Sequence, residues 1–234
     1  MIHDVGVVIP VGPSDRAWVG LVDQLSKFQF SGPIVVVMCP KGVSLQRVDL
    51  GRWIESGGRY VVSRPGRARQ LNSGLRFLET EYVWFLHADT RISNLSLGAL
   101  ENSLLKNKNR LHYFDLMFGY SASFLMKINE IGVFLRCRLF GIPFGDQGFC
   151  VSRDTALKLG GFCEDAPYGE DHLFVWKLRE EGVRVSSVGS TIFTSPRKYV
   201  HHGWIRTTIS HSYLTWAQAI PCFLSLLKKE LKAS

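Results

Sequence analysis

The sequence predicts an α/β fold in which helices flank a mostly parallel central sheet. Short apolar runs recur through the first half of the chain, and helical patterns separate them. This alternation favours a parallel sheet, because each crossover helix covers one face of the sheet. The composition agrees with a buried core, since 46% of the 234 residues are hydrophobic and 21% are charged.

The first half of the chain supplies the regular strand-and-helix units. Its predicted strands are Val5 to Val11, Pro33 to Met38, Arg59 to Ser63 and Tyr82 to Leu86. After the first strand, Ser14 or Asp15 can cap a helix that ends near Phe28. Gly66 to Leu78 has leucines on one helical face. Parallel strands end at one edge of a sheet, and ligands bind at that edge in open α/β folds.

The pattern changes after residue 110. The predicted elements are a helix over Ser123 to Leu139, a turn and strand over Gly145 to Val151, a helix over Glu170 to Glu181, a strand over Val183 to Val188 and a basic helix over Tyr213 to Lys232 that Pro221 interrupts. The first of these helices carries an apolar stripe. That stripe favours packing on the core over a groove for a lipid or an acceptor.

Charge and cysteine content limit the classes of partner and compartment. The net charge of +8 favours anionic partners such as nucleotides, phosphate esters, nucleic acid or an anionic membrane. The five cysteines are scattered and never spaced as CxxC, which indicates reduced thiols in a cytoplasmic protein. The start reads as a strand, and no run of about 18 uncharged apolar residues occurs, so we expect neither a signal peptide nor a transmembrane helix.

The strand that ends at Leu86 stops at His87-Ala88-Asp89. An aspartate at the carboxyl end of a strand can hold a divalent cation, and that cation can bind a diphosphate. The structural alternative is that Asp89 caps the next helix, for which Thr90 and Ser93 are rivals. The segment therefore predicts either a metal-assisted phosphate site or a helix cap.

Four further stretches carry polar groups that can act on a ligand. Arg64 to Gly74 joins basic side chains to a glycine turn at a helix start, which suits an anion, although a solvated basic face has the same pattern. Gly145 to Gly148 permits close backbone approach, or is a plain tight turn. Glu170-Asp171 opens a helix and becomes a candidate general base if it faces the strand-end aspartate. His201-His202 is a weaker metal-ligand pair.

In this order and spacing the motifs resemble family 2 glycosyltransferases of GT-A fold. The closest likeness is to a small bacterial subgroup with His-Ala-Asp in place of the usual Asp-x-Asp, and it extends over residues 4 to 210. The resemblance implies one domain over residues 1–234, with a nucleotide-binding half to about residue 110, an acceptor half over 111–210 and a helical tail over 211–234. It also implies inverting transfer of a sugar from a nucleotide-activated donor, assisted by Mg²⁺ or Mn²⁺, to a saccharide or lipid-linked acceptor.

The resemblance also implies a role for individual residues. Asp171 matches the base, and Glu170 would orient the acceptor or the base. The residues implied at the donor are Asp15, Arg67, Arg69, Asn72, His87 and Asp89. The residues implied at the acceptor are Gly145, Asp146 and Gln147, and the metal ligands are Asp89 and His202. The chain departs from the family pattern after Met38, where no carboxylate follows the second strand, and in the first loop, where Asp15 would replace an Asn-Glu pair.

Two other classes of function compete with glycosyl transfer. A nucleotidyltransferase shares the nucleotide-binding half and the need for a metal. A glycine-rich run with a lysine directly after the first strand would favour that class, but Val11-Gly12-Pro13 is too short. A non-catalytic nucleotide or nucleic-acid binder would fit the net charge. Such a binder clusters its basic and aromatic residues on one face, whereas here the basic residues are spread, so we expect no specific nucleic acid.

The tail carries an apolar face followed by lysines. Trp216, Ile220, Phe223, Leu224 and Leu227 fall near one side of the predicted helix, and Lys228, Lys229 and Lys232 follow. Such a helix can lie on an anionic membrane, which would place the protein peripherally on the inner face. The alternative is a helix that packs on the domain, which the interruption at Pro221 favours.

Overall fold

The computed structural model describes residues 4–119, 124–195 and 204–233. Its strands are β1 (Val5–Val11), β2 (Ile34–Met38), β3 (Arg59–Val62), β4 (Tyr82–Phe85), β5 (Arg110–Phe118), β6 (Phe149–Ser152) and β7 (Arg184–Thr194). Its helices are α1 (Ala17–Lys27), α2 (Pro40–Leu45), α3 (Arg47–Glu55), α4 (Arg67–Phe77), α5 (Asn94–Lys106), α6 (Phe124–Leu135), α7 (Arg153–Lys158), α8 (Glu170–Glu180) and α9 (Trp204–Ala233). A π-helical turn (Arg136–Phe140) continues α6, and a 3₁₀ turn (Gly145–Gln147) precedes β6.

The seven strands form one sheet in the order β3-β2-β1-β4-β6-β5-β7. β1 pairs in parallel with β2 and β4, β2 with β3, and β5 with β7, while β6 is antiparallel to β4 and β5. The predicted mostly parallel sheet is therefore confirmed. Because β1 to β4 all run the same way, their carboxyl ends meet at one edge, which we call the carboxyl edge.

Helices bury both faces of the sheet. Alternate β1 side chains point to opposite sides, so Val7 and Ile9 pack in a cluster with α1 and α5, and Val8 packs in a cluster with α4 and α8. α4 packs so closely against β1 that a Cβ at Gly74 would be only 2.4 Å from Val8 Cγ1. This close approach fixes the start of α4, at Arg67, beside the carboxyl edge.

The sequence patterns missed several elements along the chain. β5 was not predicted because His112 and Asp115 interrupt its apolar run. His112 is nevertheless fully buried, since the Ser103 hydroxyl lies 2.8 Å from one ring nitrogen and the Asn107 carbonyl lies 2.9 Å from the other. α5 was expected only as a helix after Asp89, and the short helices α2, α3 and α7 were not predicted at all.

Two predictions about the helices near the tail are wrong. The apolar stripe of α6 does not pack on the core, since Leu125, Ile128 and Ile131 are all exposed. The tail helix begins at Trp204 and continues through Pro221 for 30 residues. In the part of the chain that the structure describes, no helix is both long and apolar enough to cross a membrane.

Candidate active site

Buried glutamines hold the carboxyl edge together. The side-chain amide of Gln70 donates to the carbonyls of Val11 (2.9 Å) and Val37 (2.8 Å), which ties the ends of β1 and β2. Gln46 likewise donates to the carbonyls of Gly12 and Pro13, at 3.1 and 2.9 Å, and so fixes the loop after β1. The bracing role of Gln70 was not predicted, and its signal in the sequence is an isolated amide on an otherwise apolar helical face.

Asp171 is the best-defined acidic group at this edge. It lies in the first turn of α8 and is 9% exposed. Its Oδ2 accepts a 2.6 Å hydrogen bond from the main-chain N–H of Gly145, and its Oδ1 accepts one of 2.9 Å from the N–H of His172. The carboxylate is therefore oriented by two elements, α8 and the 3₁₀ turn before β6.

The surroundings of Asp171 keep it ionised. Burial alone would raise its pKa, but the Arg67 guanidinium, the N–H groups of Gly145 and His172, and His87 outweigh burial and hold the pKa below its usual range. The influence of His87 shows that the end of β4 and the start of α8 share one electrostatic environment. The condition under which the sequence made Asp171 a candidate base, that it faces Asp89, stays a prediction.

Arg67 joins the two carboxylates at the start of α8. Its Nε lies 2.8 Å from Glu170 Oε1, and its Nη2 lies 3.2 Å from Asp171 Oδ2. The side chain keeps access to solvent because it is 36% exposed. Gly66, with φ +128°, makes the turn that places Arg67 first in α4. A guanidinium in this position can serve the carboxylates and an incoming phosphate from one place.

Gly145 is required by the close fit between the 3₁₀ turn and α8. A Cβ at this position would lie 2.8 Å from Asp171 Oδ2 and 3.2 Å from Arg67 Nη2. The next residue, Asp146, is half-buried beside this contact. The turn predicted at Gly145 to Gly148 thus contacts the candidate base directly through its backbone.

Gln147, by contrast, does not face the acceptor region as predicted. It is 1% exposed, and its amide donates to the Phe114 carbonyl at 3.0 Å while its oxygen accepts from the Phe144 N–H at 3.0 Å. These bonds anchor the turn to β5. Because the side chain is used inside the fold, we correct its role from acceptor contact to bracing of the turn.

Asn72 is also corrected from a donor contact to a bracing residue. Its amide nitrogen donates to the Phe162 carbonyl and to Glu164, each at 2.9 Å, and its oxygen accepts from the Phe162 N–H at 2.8 Å. It is 3% exposed. Arg69 lies on the same side, with its Nε 3.6 Å from Glu164. Both residues therefore secure the loop before α8.

The positions after β4 are compatible with a ligand site. His87 and Asp89 are each partly buried. The alternative that Asp89 caps the following helix is wrong, because Ser93 is the N-cap residue of α5 and its N–H donates to the Ser96 hydroxyl at 3.0 Å. Thr90, the other candidate N-cap, is buried, and its N–H donates to the His87 carbonyl at 3.0 Å.

Two predicted site residues remain, Asp15 and His202. Asp15 accepts a hydrogen bond from the Ala17 N–H at 3.0 Å, so it supports the start of α1 in the loop after β1. His202 falls outside the described residues, and its predicted contact with a metal stays a prediction.

A divalent cation at this edge would need ligands beyond those that the described residues offer. Over residues 4–119, 124–195 and 204–233, no group of three or more His, Cys, Asp or Glu side chains is arranged to hold a metal ion. Mg²⁺ commonly binds through one or two carboxylates together with substrate phosphates. The chemistry of Asp89 fits that shared mode, in which the diphosphate completes the ligand set.

A hydrogen-bond chain connects the tail to the start of α8. The Trp176 indole N–H donates to His172 Nε2 at 2.9 Å, so the other ring nitrogen of His172 carries the proton that Gln218 accepts at 2.9 Å. Gln218 in turn donates to the Tyr168 carbonyl at 2.8 Å. Burial lowers the pKa of His172, and the ring is neutral at physiological pH.

The sheet order and the flanking helices are those of the GT-A glycosyltransferase fold. The S. aureus TarS 1-349 structure in complex with UDP-GlcNAc is similar, with a TM-score of 0.64 and 16% identity over 82% of this chain and 58% of that chain. Glucosyl-3-phosphoglycerate synthase from Mycobacterium tuberculosis, in complex with Mn²⁺, UDP-glucose and phosphoglyceric acid, has a TM-score of 0.56 and 16% identity over 81% of this chain and 71% of that chain.

These likenesses establish the fold of the chain. The chain spans 58% of the length of TarS 1-349 as crystallised with UDP-GlcNAc. No protein-family model and no curated protein matches the sequence.

Proposed function

We propose that this protein is a glycosyltransferase that moves a sugar from a nucleotide-activated donor to a hydroxyl group, with inversion at the anomeric carbon. The observation that carries the proposal is the ionised, buried Asp171, held by the Gly145 N–H and Arg67 beside the carboxyl edge of a GT-A sheet. The similar structures with UDP-GlcNAc or UDP-glucose support a nucleotide sugar as donor.

The donor diphosphate would lie between the end of β4 and the start of α4. Arg67 and the helix N-terminus behind it offer positive potential to the leaving diphosphate. Asp89, with His87 beside it, would hold Mg²⁺ or Mn²⁺ jointly with the phosphates. When bound, such an ion would stabilise the charge that develops as the sugar–phosphate bond breaks.

Asp171 would act as the general base. The acceptor hydroxyl attacks the anomeric carbon from the face opposite the diphosphate, its proton passes to the Asp171 carboxylate, and the bond from the anomeric carbon to the phosphate oxygen breaks. Glu170, in the same helical turn, would orient the acceptor. Gly145 and Asp146 would line the acceptor side through the 3₁₀ turn.

Arg67 would link donor binding to the strength of this base. In the structure its guanidinium contacts both Glu170 and Asp171. A bound diphosphate competes for the same positive charge, so part of the stabilisation of the Asp171 carboxylate would be lost. The pKa of Asp171 would then rise towards the aspartate range, and the carboxylate would become a stronger base when the donor is in place.

Donor binding provides the first test. Nucleoside diphosphates with different bases should be titrated by calorimetry into wild type and Asp89→Ala, with and without Mg²⁺ or Mn²⁺. We expect one diphosphate to bind wild type about tenfold or more tightly when metal is present, an effect of the size that one charge-assisted contact supplies, and the variant to lose that difference. Asp154→Asn is the matched control, because Asp154 is 73% exposed and paired with Lys158 on α7.

Equal affinity in wild type and Asp89→Ala, with and without metal, would remove Asp89 from the site. Product analysis separates glycosyl transfer from nucleotidyl transfer. A glycosyltransferase releases a nucleoside diphosphate from a nucleotide sugar, whereas a nucleotidyltransferase forms pyrophosphate from a nucleoside triphosphate. Release of pyrophosphate alone would contradict the proposal.

A further inference from the structure

The outer sides of α6 and α9 expose an unusual amount of apolar surface. On α6 and the π-helical turn after it, Phe124 is 77% and Leu139 is 70% exposed. On α9, Tyr213 is 72% and Leu231 is 78% exposed, and Ile209 and Ile220 are exposed between them. Apolar residues scattered singly on a surface are ordinary, but a contiguous set on neighbouring helices indicates an interaction site.

Direct contacts make this one continuous surface. The ring of Phe140, at the end of the π-helical turn, packs edge-on against Trp216 of α9 with 5.2 Å between ring centroids. Both side chains remain about half exposed. Further along, the Thr208 hydroxyl lies 3.4 Å from Asn129 of α6. We call the exposed surface of α6, the π-helical turn and α9 the α6–α9 face.

The charges on the α6–α9 face are cationic. Lys127, Arg206 and Lys228 are exposed on it. Glu130, the acidic residue of α6, is turned inward and accepts a 2.7 Å hydrogen bond from the Phe118 N–H. Among the side chains that the structure describes on these helices, no carboxylate is exposed to balance the cations.

Arginines extend the positive charge beside α9. A cavity of about 400 Å³ next to Leu226 is lined by Arg110, Arg179 and Arg184. Arg110 and Arg184 are direct cross-strand partners in the β5–β7 pair. Guanidinium groups that line one cavity add their positive potentials, which favours an anion there.

We propose that the α6–α9 face docks on an anionic membrane surface. Resting on the glycosyltransferase function proposed above, the acceptor is then a hydroxyl of a lipid-linked molecule held at that surface. Apolar and aromatic side chains would enter the interface while lysine and arginine meet the headgroups. A second copy of the chain fits this face less well, because its cations would oppose those of the first copy.

The α6–α9 face adjoins the candidate active site. Gln218 of α9 donates to the Tyr168 carbonyl and contacts His172, so α9 is fixed to the start of α8, where Asp171 lies. A lipid-linked acceptor would therefore reach the base from the surface on which the protein is docked. The acceptor's carrier lipid stays in the membrane while its polar end enters the site.

Vesicle flotation of the full chain tests the proposal. Vesicles of phosphatidylcholine with and without phosphatidylglycerol should be compared at low and high salt. We expect the protein to float with the anionic vesicles at low salt and to remain in solution with the neutral ones. High salt should weaken binding, since screening reduces the attraction between exposed charges and headgroups.

Variants of the face identify the surface that binds. Leu139→Asp and Lys228→Glu should each weaken vesicle binding about tenfold or more. Neutralising one cation near a membrane weakens binding about fivefold, and Lys228→Glu also reverses the charge. Leu139→Asp replaces apolar area that would enter the interface with a carboxylate. Leu105→Asp and Lys158→Glu are matched controls. Leu105 is 69% exposed on α5 and Lys158 is 74% exposed on α7, and their variants should bind as wild type does.

Nucleotide binding, measured on the same samples, separates the two proposals. Loss of vesicle binding in Leu139→Asp with unchanged nucleoside diphosphate affinity supports docking through this face. If wild type binds the nucleotide but ignores anionic vesicles, or if light scattering shows a stable dimer that does not float, the docking proposal is overturned while the enzymatic one stands. Flotation without nucleotide binding supports docking and contradicts the glycosyltransferase function.

Discussion

The main-chain N–H of Gly145 donates a 2.6 Å hydrogen bond to Asp171 Oδ2, across a contact that has no room for a side chain. This contact joins the turn before β6 to the first turn of α8. It fixes the direction of the carboxylate and helps to keep it ionised. The precision of the proposed base therefore depends on a glycine that carries no chemistry itself.

Gly145→Ala should disturb this contact selectively. The new Cβ would lie 2.8 Å from Asp171 Oδ2, so the carboxylate or the turn must move. We expect turnover of a nucleotide sugar to fall about tenfold or more, because small displacements of a catalytic group are costly, with only a modest loss of stability. Gly98→Ala on α5 is the control, since a Cβ there meets nothing within 4 Å. Wild-type turnover in Gly145→Ala would show that the contact does not position the base.

Arg67→Gln should raise the pKa of Asp171 and weaken donor binding. The guanidinium is the largest influence that lowers the pKa of Asp171. The pH profile of kcat/KM reports the free enzyme, in which the pKa of Asp171 is below its usual range, so in wild type kcat/KM should persist into acid until the protein unfolds. In Arg67→Gln the acid limb of the kcat/KM profile should move to higher pH. Arg69→Gln, which removes a guanidinium that faces Glu164, is the control. An unchanged acid limb in Arg67→Gln would contradict the assignment.

The glycine pair before Phe162 offers a matched test of the role of Asn72. Gly160 and Gly161 both have positive φ, +74° and +68°. A Cβ at Gly161 would lie 2.3 Å from Asn72 Oδ1, whereas a Cβ at Gly160 would meet nothing within 4 Å. Both alanine variants carry backbone strain of about 1 kcal/mol. Gly161→Ala should lose about 2 kcal/mol more, because buried hydrogen bonds of Asn72 are broken. Chemical denaturation measures both, and equal losses would show that Asn72 is not a brace.

Two buried histidines should make the fold sensitive to mild acid. Burial lowers the pKa of His112 and, in the same way, of His172. In the unfolded chain these two imidazoles take up protons below about pH 6.5, whereas in the folded chain they do so only at lower pH. The free energy of unfolding should therefore be complete above that pH and fall as the pH is lowered towards about 5. Urea denaturation across this range measures it. His112→Asn should lose part of the pH dependence, and a flat wild-type profile would contradict the neutral assignment.

Sequence reasoning succeeded where a pattern has a direct structural cause. Val5–Val11 and Tyr82–Phe85 are continuous apolar runs because helices bury both faces of the sheet. The polar residues after Leu86 lie at the carboxyl edge for the same topological reason. The mostly parallel sheet therefore followed from the order of elements, whereas the role of Glu170-Asp171 was implied only by the family resemblance.

Sequence reasoning failed where a side chain has an unseen partner. Gln147 and Asn72 have the polar character of ligand contacts, but each satisfies a distant backbone group inside the protein, at Phe114 and Phe162. The stripe of α6 has the spacing of a core face, and no local signal distinguishes a stripe that packs inward from one that remains exposed. Long-range contacts decide these cases, and a single sequence does not contain them explicitly.

The most direct test of the central claim measures two quantities in wild type and in Asp171→Asn. One is the rate at which nucleoside diphosphate is released from a nucleotide sugar, and the other is the affinity for the donor. Water can replace the acceptor, so the acceptor need not be known. If Asp171 is the base, donor affinity should be retained while the rate falls by about two orders of magnitude or more. The asparagine keeps the size of the side chain, and Asp154→Asn controls for loss of a carboxylate elsewhere. Retained turnover in Asp171→Asn with normal donor binding would contradict the account and move the base to Glu170 or Asp146.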